Sequence, residues 1–424
     1  MSLHPGDRPS DISVQPKVGP RYIWLIVLAQ FGVFIAFITP LAISLSIRVA
    51  QLAPGHEEYL GYITGIGALV PLLTGPLMGA LSDRTRTRLG RRRPFIIGGM
   101  LLGAVALLVM ALAPNVFVLG LGWVLSQLGW GQVVGGLQNS QADRLPEEQR
   151  GKVAGLSGFA TLVAPVVGVV AAGSLTGDSL LLFLVPGAVG VVVVILFVWL
   201  VHEADSRDLP PAEPLTARSL ARKYTWSPRR HPDFSWNWLG RFAFYFGLTL
   251  NTTFVAFFFA SRLGVTVDKV APTLATISGI GVLATSAGAL GGGFLSDKLR
   301  RRRAFVLASG CIYAVGTVIE ALASSVPVLL AGSVICSVGL GLFSAVDQAL
   351  ALDVLPERET EAGRYMGVFG FATSIPQSAA PFVAPVFLAI GAGGGEKNYT
   401  LLYLVAAACT VLGGLAVLRI KSVR

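Results

Sequence analysis

Long apolar runs recur along the whole chain, and they restrict its fold more than any other feature of the sequence. A helix that crosses the hydrocarbon core of a bilayer needs about 20 consecutive apolar residues, with a range of roughly 17 to 25. The runs that meet this length lie near residues 22–47, 59–81, 95–113, 115–138, 153–173, 180–200, 237–260, 270–295, 304–322, 326–350, 364–390 and 399–418. We therefore predict an all-α polytopic membrane protein with 12 transmembrane helices.

The composition excludes the soluble classes of protein. Only 13% of the 424 residues are charged and 53% are hydrophobic, whereas about a quarter of the residues in a soluble domain are charged. A disordered chain and a soluble enzyme are both incompatible with these values. The three cysteines are scattered, and no Walker loop, zinc-protease motif or nucleophile elbow occurs. We therefore predict that the chain is not an enzyme and has no cofactor and no metal site.

Lysine and arginine lie almost entirely on one side of the predicted helices. With a cytoplasmic N-terminus, the outer loops contain only Arg48, Arg262, Lys269 and Lys397, and the other 29 of the 33 basic residues face the cytoplasm. Cationic loops are translocated poorly, so this bias sets the orientation and predicts that both termini are cytoplasmic. The net charge of +10 belongs to these loops, so we predict no nucleic-acid partner.

Each half of the chain carries the same motifs at the same helix ends, after its second and fourth helices. The matching segments are GALSD (79–83) and GFLSD (293–297), RRRPF (91–95) and RRRAF (301–305), DRLP (143–146) and DVLP (353–356), and GFAT (158–161) and GFAT (370–373). Because these pairs follow one another in the same order, we predict a duplicated six-helix unit.

The repeats and the apolar runs together divide the chain. The predicted parts are a cytoplasmic N-terminal tail (1–21), an N-terminal six-helix half (22–200), a cytoplasmic linker (201–236), a C-terminal six-helix half (237–418) and a cytoplasmic C-terminal tail (419–424). The linker is rich in proline and in mixed charge, which favours a flexible connection. A short amphipathic helix over residues 215–224 is the alternative.

The loop after the second helix is the most specific motif. The stretch from Gly79 to Arg93 resembles the loop motif of the major facilitator superfamily, and residues 297–303 resemble its weaker copy. Residues 82–96 are also similar to the glycoside–pentoside–hexuronide and sucrose-type transporter group, as are Thr39-Pro40-Leu41 and Ile375-Pro376-Gln377. The resemblance implies two pseudo-symmetric halves that rock around a central site.

The same loop motif implies a set of gating residues. A carboxylate is stabilised at the N-terminus of a helix by the helix dipole. The family pattern implies that Asp83 caps the start of helix 11, and Asp297 the start of helix 5, when the cytoplasmic side is closed. The implied gating residues are Asp83, Arg84, Arg91, Arg92, Asp297 and Arg301. The arginines have a simpler interpretation as topology signals or as partners of lipid phosphate.

Uncharged polar and aromatic side chains occur in the helices that line the cavity of this superfamily. Amides can hydrogen-bond to hydroxyl groups, and aromatic rings can stack on the apolar face of a sugar. The candidates for substrate binding are Gln30, Phe34, Trp123, Gln127, Trp130, Tyr245, Asn251, Gln348 and Gln377. Ordinary helix packing is the alternative interpretation of each.

Three ionisable residues lie inside predicted helices, where charge is costly: Arg241, Glu320 and Asp347. Arg241 can extend to the cytoplasmic surface, and Glu320 fits a structural role. Asp347 is the candidate for proton coupling, with a paired structural acid as the alternative. Related proton-coupled sucrose carriers have an acid in the middle of helix 4, and sodium-coupled ones have aspartates in helix 2. This chain has neither, so its coupling residue is absent, relocated to Asp347, or not needed.

From these features we predict a secondary active transporter that works by alternating access on a sugar or glycoside, with a proton as the candidate coupling ion. A close alternative is an exporter of small amphipathic metabolites or drugs, and a remote one is a membrane sensor that does not transport. The predicted partners are a small-molecule substrate and the lipid bilayer. We predict a monomer in the cell (plasma) membrane.

Overall fold

The computed structural model describes residues 17–207, 226–357, 361–391 and 397–423. The long helices of the N-terminal half are α1 (Pro20–Leu52), α2 (Glu58–Arg84), α3 (Arg93–Ala111), α4 (Val116–Arg144), α5 (Glu147–Gly173) and α6 (Ser179–Leu200). Those of the C-terminal half are α7 (Pro232–Thr253 and Val255–Leu263), α8 (Ala271–Leu299), α9 (Arg302–Ala321), α10 (Val326–Asp353), α11 (Ala362–Ala389) and α12 (Tyr399–Val417).

These helices confirm the predicted fold class. Within the described ranges, eleven helices are long and apolar enough to cross a membrane, and the two bent segments of α7 together make a twelfth. The predicted spans agree with them to within a few residues at most ends. Most of the predicted N-terminal tail, and the choice between a flexible linker and a helix over residues 215–224, lie outside the described residues.

A proline changes the geometry of α1 in its middle. Residues Pro40–Ser44 form a π-helical turn, in which the N–H of Leu45 donates to the carbonyl of Pro40. Proline has no N–H, and its ring clashes with the carbonyl four residues earlier, so a single wider turn lets the helix continue. As a result α1 runs to Leu52, beyond its predicted end near residue 47.

Helix α7 is broken near its outer end, where the sequence predicts one continuous run. Its two segments meet at Phe254 with a bend of 50°. The hydroxyls of Thr252 and Thr253 donate to the carbonyls of Leu248 and Thr249, four residues earlier. Such hydroxyl bonds to the preceding turn bend helices, which accounts for the position of the break.

Glycine brings helix backbones together at equivalent places in the two halves. A Cβ added to Gly129 of α4 would lie 2.3 Å from the backbone N of Gly103 in α3. A Cβ added to Gly339 of α10 would lie 2.8 Å from the backbone N of Tyr313 in α9. Small residues permit this close helix crossing within a membrane. The equivalent crossings agree with a duplicated unit.

The first residues of the predicted linker belong structurally to the N-terminal half. The carboxylate of Glu203 accepts the backbone N–H groups of Arg91, Arg92 and Arg93 at 3.0–3.1 Å. It therefore caps the start of α3, whose free N–H groups need acceptors. With α7 starting at Pro232, the connection between the halves is shorter than the predicted 201–236.

The two halves are in contact near the outer ends of their helices. A Cβ added to Gly61 of α2 would lie 2.4 Å from the carbonyl oxygen of Pro381 in α11. A Cβ added to Gly173 of α5 would lie 3.1 Å from Ala271 of α8. The ammonium group of Lys397, which precedes α12, pairs with the carboxylate of Glu58 at 3.0 Å. These contacts close the outer side of the protein.

Candidate functional site

A cavity of about 250 Å³ lies in the cytoplasmic part of the N-terminal half, between α1, α4 and α5. Its lining residues are Gln30, Val33, Phe34, Val134, Leu137, Gln138, Gln141, Ala154, Ser157, Gly158 and Thr161. None of these side chains is charged. The cavity thus contains two of the nine substrate candidates, Gln30 and Phe34, and four polar residues outside that set: Gln138, Gln141, Ser157 and Thr161.

Gln30 lines this cavity, and its side chain has a buried hydrogen-bond acceptor that is not used. Its side chain is only 7% exposed, and its Oε1 atom has no partner among the described residues. An unpaired buried acceptor costs about 1–3 kcal/mol. Because the atom is closed off from solvent, a ligand hydroxyl would reach it only after the Gln30 side chain turns toward the cavity.

The opposite walls of the cavity carry further amides and hydroxyls. The amide of Gln141 donates to the hydroxyl of Ser157 at 3.0 Å, which joins α4 to α5. The carbonyl oxygen of Gln141 can still accept, and the exposed Gln138 lies one turn away on α4. This arrangement suits a ligand that both donates and accepts hydrogen bonds without carrying charge.

The structure places Trp123 and Trp130 away from this cavity, in contrast to the prediction. Both rings are fully buried inside the N-terminal half. A Cβ added to Gly67 of α2 would lie 2.1 Å from Nε1 of Trp123, and one added to Gly103 of α3 would lie 2.7 Å from Trp130. Each indole therefore occupies the space that the missing side chain of a glycine leaves between two helices. Gln127, one turn from Trp123, is also buried.

Asn251 is likewise enclosed, here in the C-terminal half. Its amide donates to the carboxylate of Glu320 at 2.9 Å, and its Oδ1 accepts from the hydroxyl of Tyr313 at 3.1 Å. Its backbone carbonyl accepts from Tyr403. Because donor and acceptor are both used within this network of α7, α9 and α12, Asn251 is a packing residue in this state, and the structural interpretation of Glu320 fits the same network.

The C-terminal half contains a buried charge pair instead of an amide-lined cavity. The guanidinium of Arg241 in α7 donates to Oδ2 of Asp347 in α10 at 2.6 Å and to the hydroxyl of Thr373 in α11 at 2.9 Å. It lies 4.4 Å from the ring centroid of Phe369 and 5.2 Å from that of Tyr245. These distances allow cation–π attraction.

Asp347 is fully buried, and its Oδ1 atom has no partner among the described residues. The sequence alone favoured a surface-directed Arg241, whereas the structure joins it to Asp347. Both residues are unusual in being charged inside apolar helices, and that shared property was the only available signal of their pairing.

Gln348 and Gln377, the remaining predicted substrate residues, are exposed.

The repeated motifs form matching charge clusters at the cytoplasmic helix ends. In the N-terminal half, Arg92 pairs with Asp83 at 2.6 Å and with Asp143 at 3.0 Å, and Arg91 pairs with Asp143 at 2.8 Å. In the C-terminal half, the corresponding set is Arg302 with Asp297 and Asp353. Motifs about 50 residues apart in sequence thus meet in space in both halves.

One arginine of these clusters, Arg302, is not among the predicted gating residues, and the gating roles themselves stay predictions. Arg302, the first residue of α9, occupies the place equivalent to Arg92, whereas the predicted Arg301 is exposed and precedes the helix. Arg84 is the last residue of α2. The predicted contacts of Asp83 with the start of α11 and of Asp297 with the start of α5 belong to a state closed at the cytoplasm, and they remain predictions.

Comparison with known proteins agrees with this architecture. A model of the Major Facilitator Superfamily matches residues 22–381 and 271–423. A mutant form of the nucleoside transporter NupG is similar with a TM-score of 0.77 and 10% identity, covering 94% of this chain and 99% of that chain. A bacterial homolog of the human lysosomal transporter Spinster, inward-facing and unoccupied, is similar with a TM-score of 0.71 and 18% identity, covering 95% of this chain and 99% of that one. At these identities the likeness shows the fold alone.

A curated relative gives a more local match. The General alpha-glucoside permease of Schizosaccharomyces pombe is 36% identical over 86 residues. The matched segment spans 20% of this chain and 14% of that protein.

Proposed function

This chain belongs to the Major Facilitator Superfamily of secondary transporters, and we propose that its substrate is a neutral sugar or glycoside. The observation that carries the proposal is the cavity of the N-terminal half, whose lining has amides and hydroxyls but no charged side chain. Hydroxyl groups of a sugar both donate and accept, as the amides and hydroxyls of this cavity require. The local match to an alpha-glucoside permease supports the same class.

We also propose that Asp347 and Arg241 couple transport to protons. A buried carboxylate that takes up a proton no longer attracts its guanidinium partner. Because Arg241 joins α7 to both α10 and α11, its release would loosen the packing of these three helices. Protonation would thereby favour one conformation over another. The proposed location is the plasma membrane.

The test is uptake into proteoliposomes that contain the purified protein, an imposed pH gradient, and a panel of labelled mono- and disaccharides. Accumulation of one sugar that depends on the gradient supports proton symport. Equilibration without accumulation would leave a sugar facilitator and remove the coupling proposal. Absence of sugar flux from folded protein would overturn the sugar proposal and favour an exporter of amphipathic metabolites.

The coupling residue has its own variant and matched control. Asp347→Asn should abolish accumulation but retain exchange of sugar between the two sides, because exchange needs no net proton movement. Asp205→Asn alters an exposed carboxylate whose only ion-pair partner among the described residues is the nearby surface residue Arg207, and it should leave accumulation unchanged. Full accumulation by Asp347→Asn would contradict a role in coupling.

A further inference from the structure

Two side chains at the start of α2 connect the two halves on the outer side. The hydroxyl of Tyr399, the first residue of α12, donates to Oε2 of Glu57. The ammonium group of Lys397 pairs with Glu58 at 3.0 Å. Both contacts join the N-terminal to the C-terminal half, so they cannot persist when the halves separate at this side. We call these four residues the outer gate.

Glu57 also has access to the outer solution in this closed state. It lines a cavity of about 800 Å³ on the outer face, whose walls come from both halves. The other polar lining residues are Gln51, Thr176, Ser261, Thr266 and Asp268. Glu57 can therefore exchange a proton with the outside while the gate is closed.

The surroundings of Glu57 in the closed state disfavour its negative charge. Burial is the largest cause, Lys397 acts in the opposite direction, and the neighbouring Glu58 adds to the effect of burial; together they raise the pKa of Glu57 to about 7. The hydroxyl of Tyr399 donates from α12, which by itself favours the charged form, and the carboxylate of Asp268 lines the same cavity. The ring of His56 contacts Glu58 at 2.8 Å. When the gate opens, Glu57 loses the cover of the C-terminal half and becomes an ordinary solvated carboxyl group.

We propose that the outer gate is a switch for external protons: Glu57 takes a proton from the outer side while the gate is closed and releases it when the halves separate. This site is distinct from Asp347, which lies near the cytoplasmic end of α10. It does not depend on the identity of the substrate.

The direction of the effect follows from linkage. A carboxyl group whose pKa is higher in the closed state binds its proton more tightly there, so low pH favours closure. The stabilisation is complete below the ordinary glutamate pKa of about 4.3, and it is lost as the external pH rises through about 7. Between external pH 8 and pH 5, we expect the ratio of closed to open outer gates to rise by a factor of ten or more.

The experiment measures the distance between two spin labels across the outer cavity in liposomes without substrate. Labels at Gly177→Cys and Val265→Cys report on the N- and C-terminal halves, in a background without the three native cysteines. Both positions line the outer cavity. The short distance of the closed gate should predominate at pH 5, and a longer distance should gain population at pH 8.

Variants assign this response to one residue. Glu57→Gln mimics the neutral form, so it should remain closed at both pH values, whereas Asp268→Asn in the same cavity should keep the response. The response should also persist in Asp347→Asn, which separates it from cytoplasmic coupling. An unchanged pH response in Glu57→Gln, or opening of the gate at low pH, would overturn the proposal. Neither outcome bears on sugar transport, because no sugar is present.

Discussion

The outer and cytoplasmic ends of α2 have different neighbours, although glycine recurs at both. At the outer end, a Cβ added to Gly61 would lie 2.4 Å from the carbonyl oxygen of Pro381 in α11. At the cytoplasmic end, a Cβ added to Gly75 or Gly79 would meet no described heavy atom within 4 Å. The glycines of α2 are therefore packed against a neighbouring helix at the outer end and have no described neighbour at the cytoplasmic end.

The helices opposite show the same difference. Gly173 at the outer end of α5 has Ala271 nearby, whereas Gly155 near its cytoplasmic end has open space among the described residues. On α11, Gly370 is open in the same way. In a transporter that alternates access, the surface left empty in one state is the one that the other state fills. The contrast assigns this structure to the state open toward the cytoplasm.

The largest expected effect comes from filling the outer glycine surface. Gly61→Leu places a side chain against Pro381, and overpacking of this kind costs about 1–3 kcal/mol. The conformational equilibrium should shift toward the outward-open state by about 5- to 150-fold. Transport should fall accordingly, and outer positions such as residue 177 should gain accessibility to a membrane-impermeant thiol reagent. An unaltered accessibility pattern in a folded variant would contradict the close outer contact.

The matched change at the other end should have the opposite sign. Gly79→Leu meets no neighbour in this structure, so it should not impair folding or the inward-open state. It should instead block closure at the cytoplasm and trap the protein inward-open, again with loss of transport. Accessibility from the cytoplasmic side should increase. Normal transport by this variant would show that Gly79 is outside the interface of the other state.

A smaller effect is expected on the free energy of unfolding, to which the two cytoplasmic charge clusters should contribute unequally. Arg92 is nearly buried, with 8% of its side chain exposed, and hydrogen bonds to charged groups contribute about 1.5–3 kcal/mol. Arg92→Met should lower the free energy of unfolding by about that amount. Arg302→Met should cost about 1 kcal/mol or less, because the Arg302 side chain is 25% exposed and its partners Asp297 and Asp353 are 65% and 35% exposed. Denaturant unfolding in detergent measures both, and equal losses would contradict the difference in burial.

The smallest expected effect concerns the ion pair of the outer gate. Lys397→Met removes a partner of Glu58 that is 27% exposed, and solvent-accessible pairs contribute about 0.2–1 kcal/mol. The closed population should fall by no more than about fivefold, as measured with the same spin labels. Glu58→Gln should give a similar shift, and the double variant should add little to either. Fully additive shifts would show that the two residues act independently.

Much of the fold was predictable because it depends on patterns that are local in sequence. Apolar length determines the spans, and the placement of lysine and arginine predicts their orientation. The repeated RRR motifs and the aspartates of DRLP and DVLP could be recognised in the sequence. The structure shows that Arg92 and Arg302 of these motifs pair with the two aspartates. Their order along the chain was sufficient to align the halves.

The substrate candidates were less predictable, because helical spacing identifies a face but not its neighbour. Trp123 and Trp130 share a face of α4 with the buried Gln127, and that face packs against other helices of the N-terminal half. Gln138 and Gln141 lie further along α4, where the helix borders the cavity. In a membrane helix whose polar residues do not form one stripe, the sequence does not show which face meets protein, lipid or cavity.

The sequence by itself determined that this chain spans a membrane as a duplicated bundle. The lengths of the apolar runs and the repeated motifs depend only on the order of residues along the chain. Only the tertiary structure decided that Arg241 faces Asp347 and that Glu57 meets Tyr399. These partners are 106 and 342 residues apart. Their pairing depends on how the helices cross and how the halves tilt, and no local periodicity encodes either.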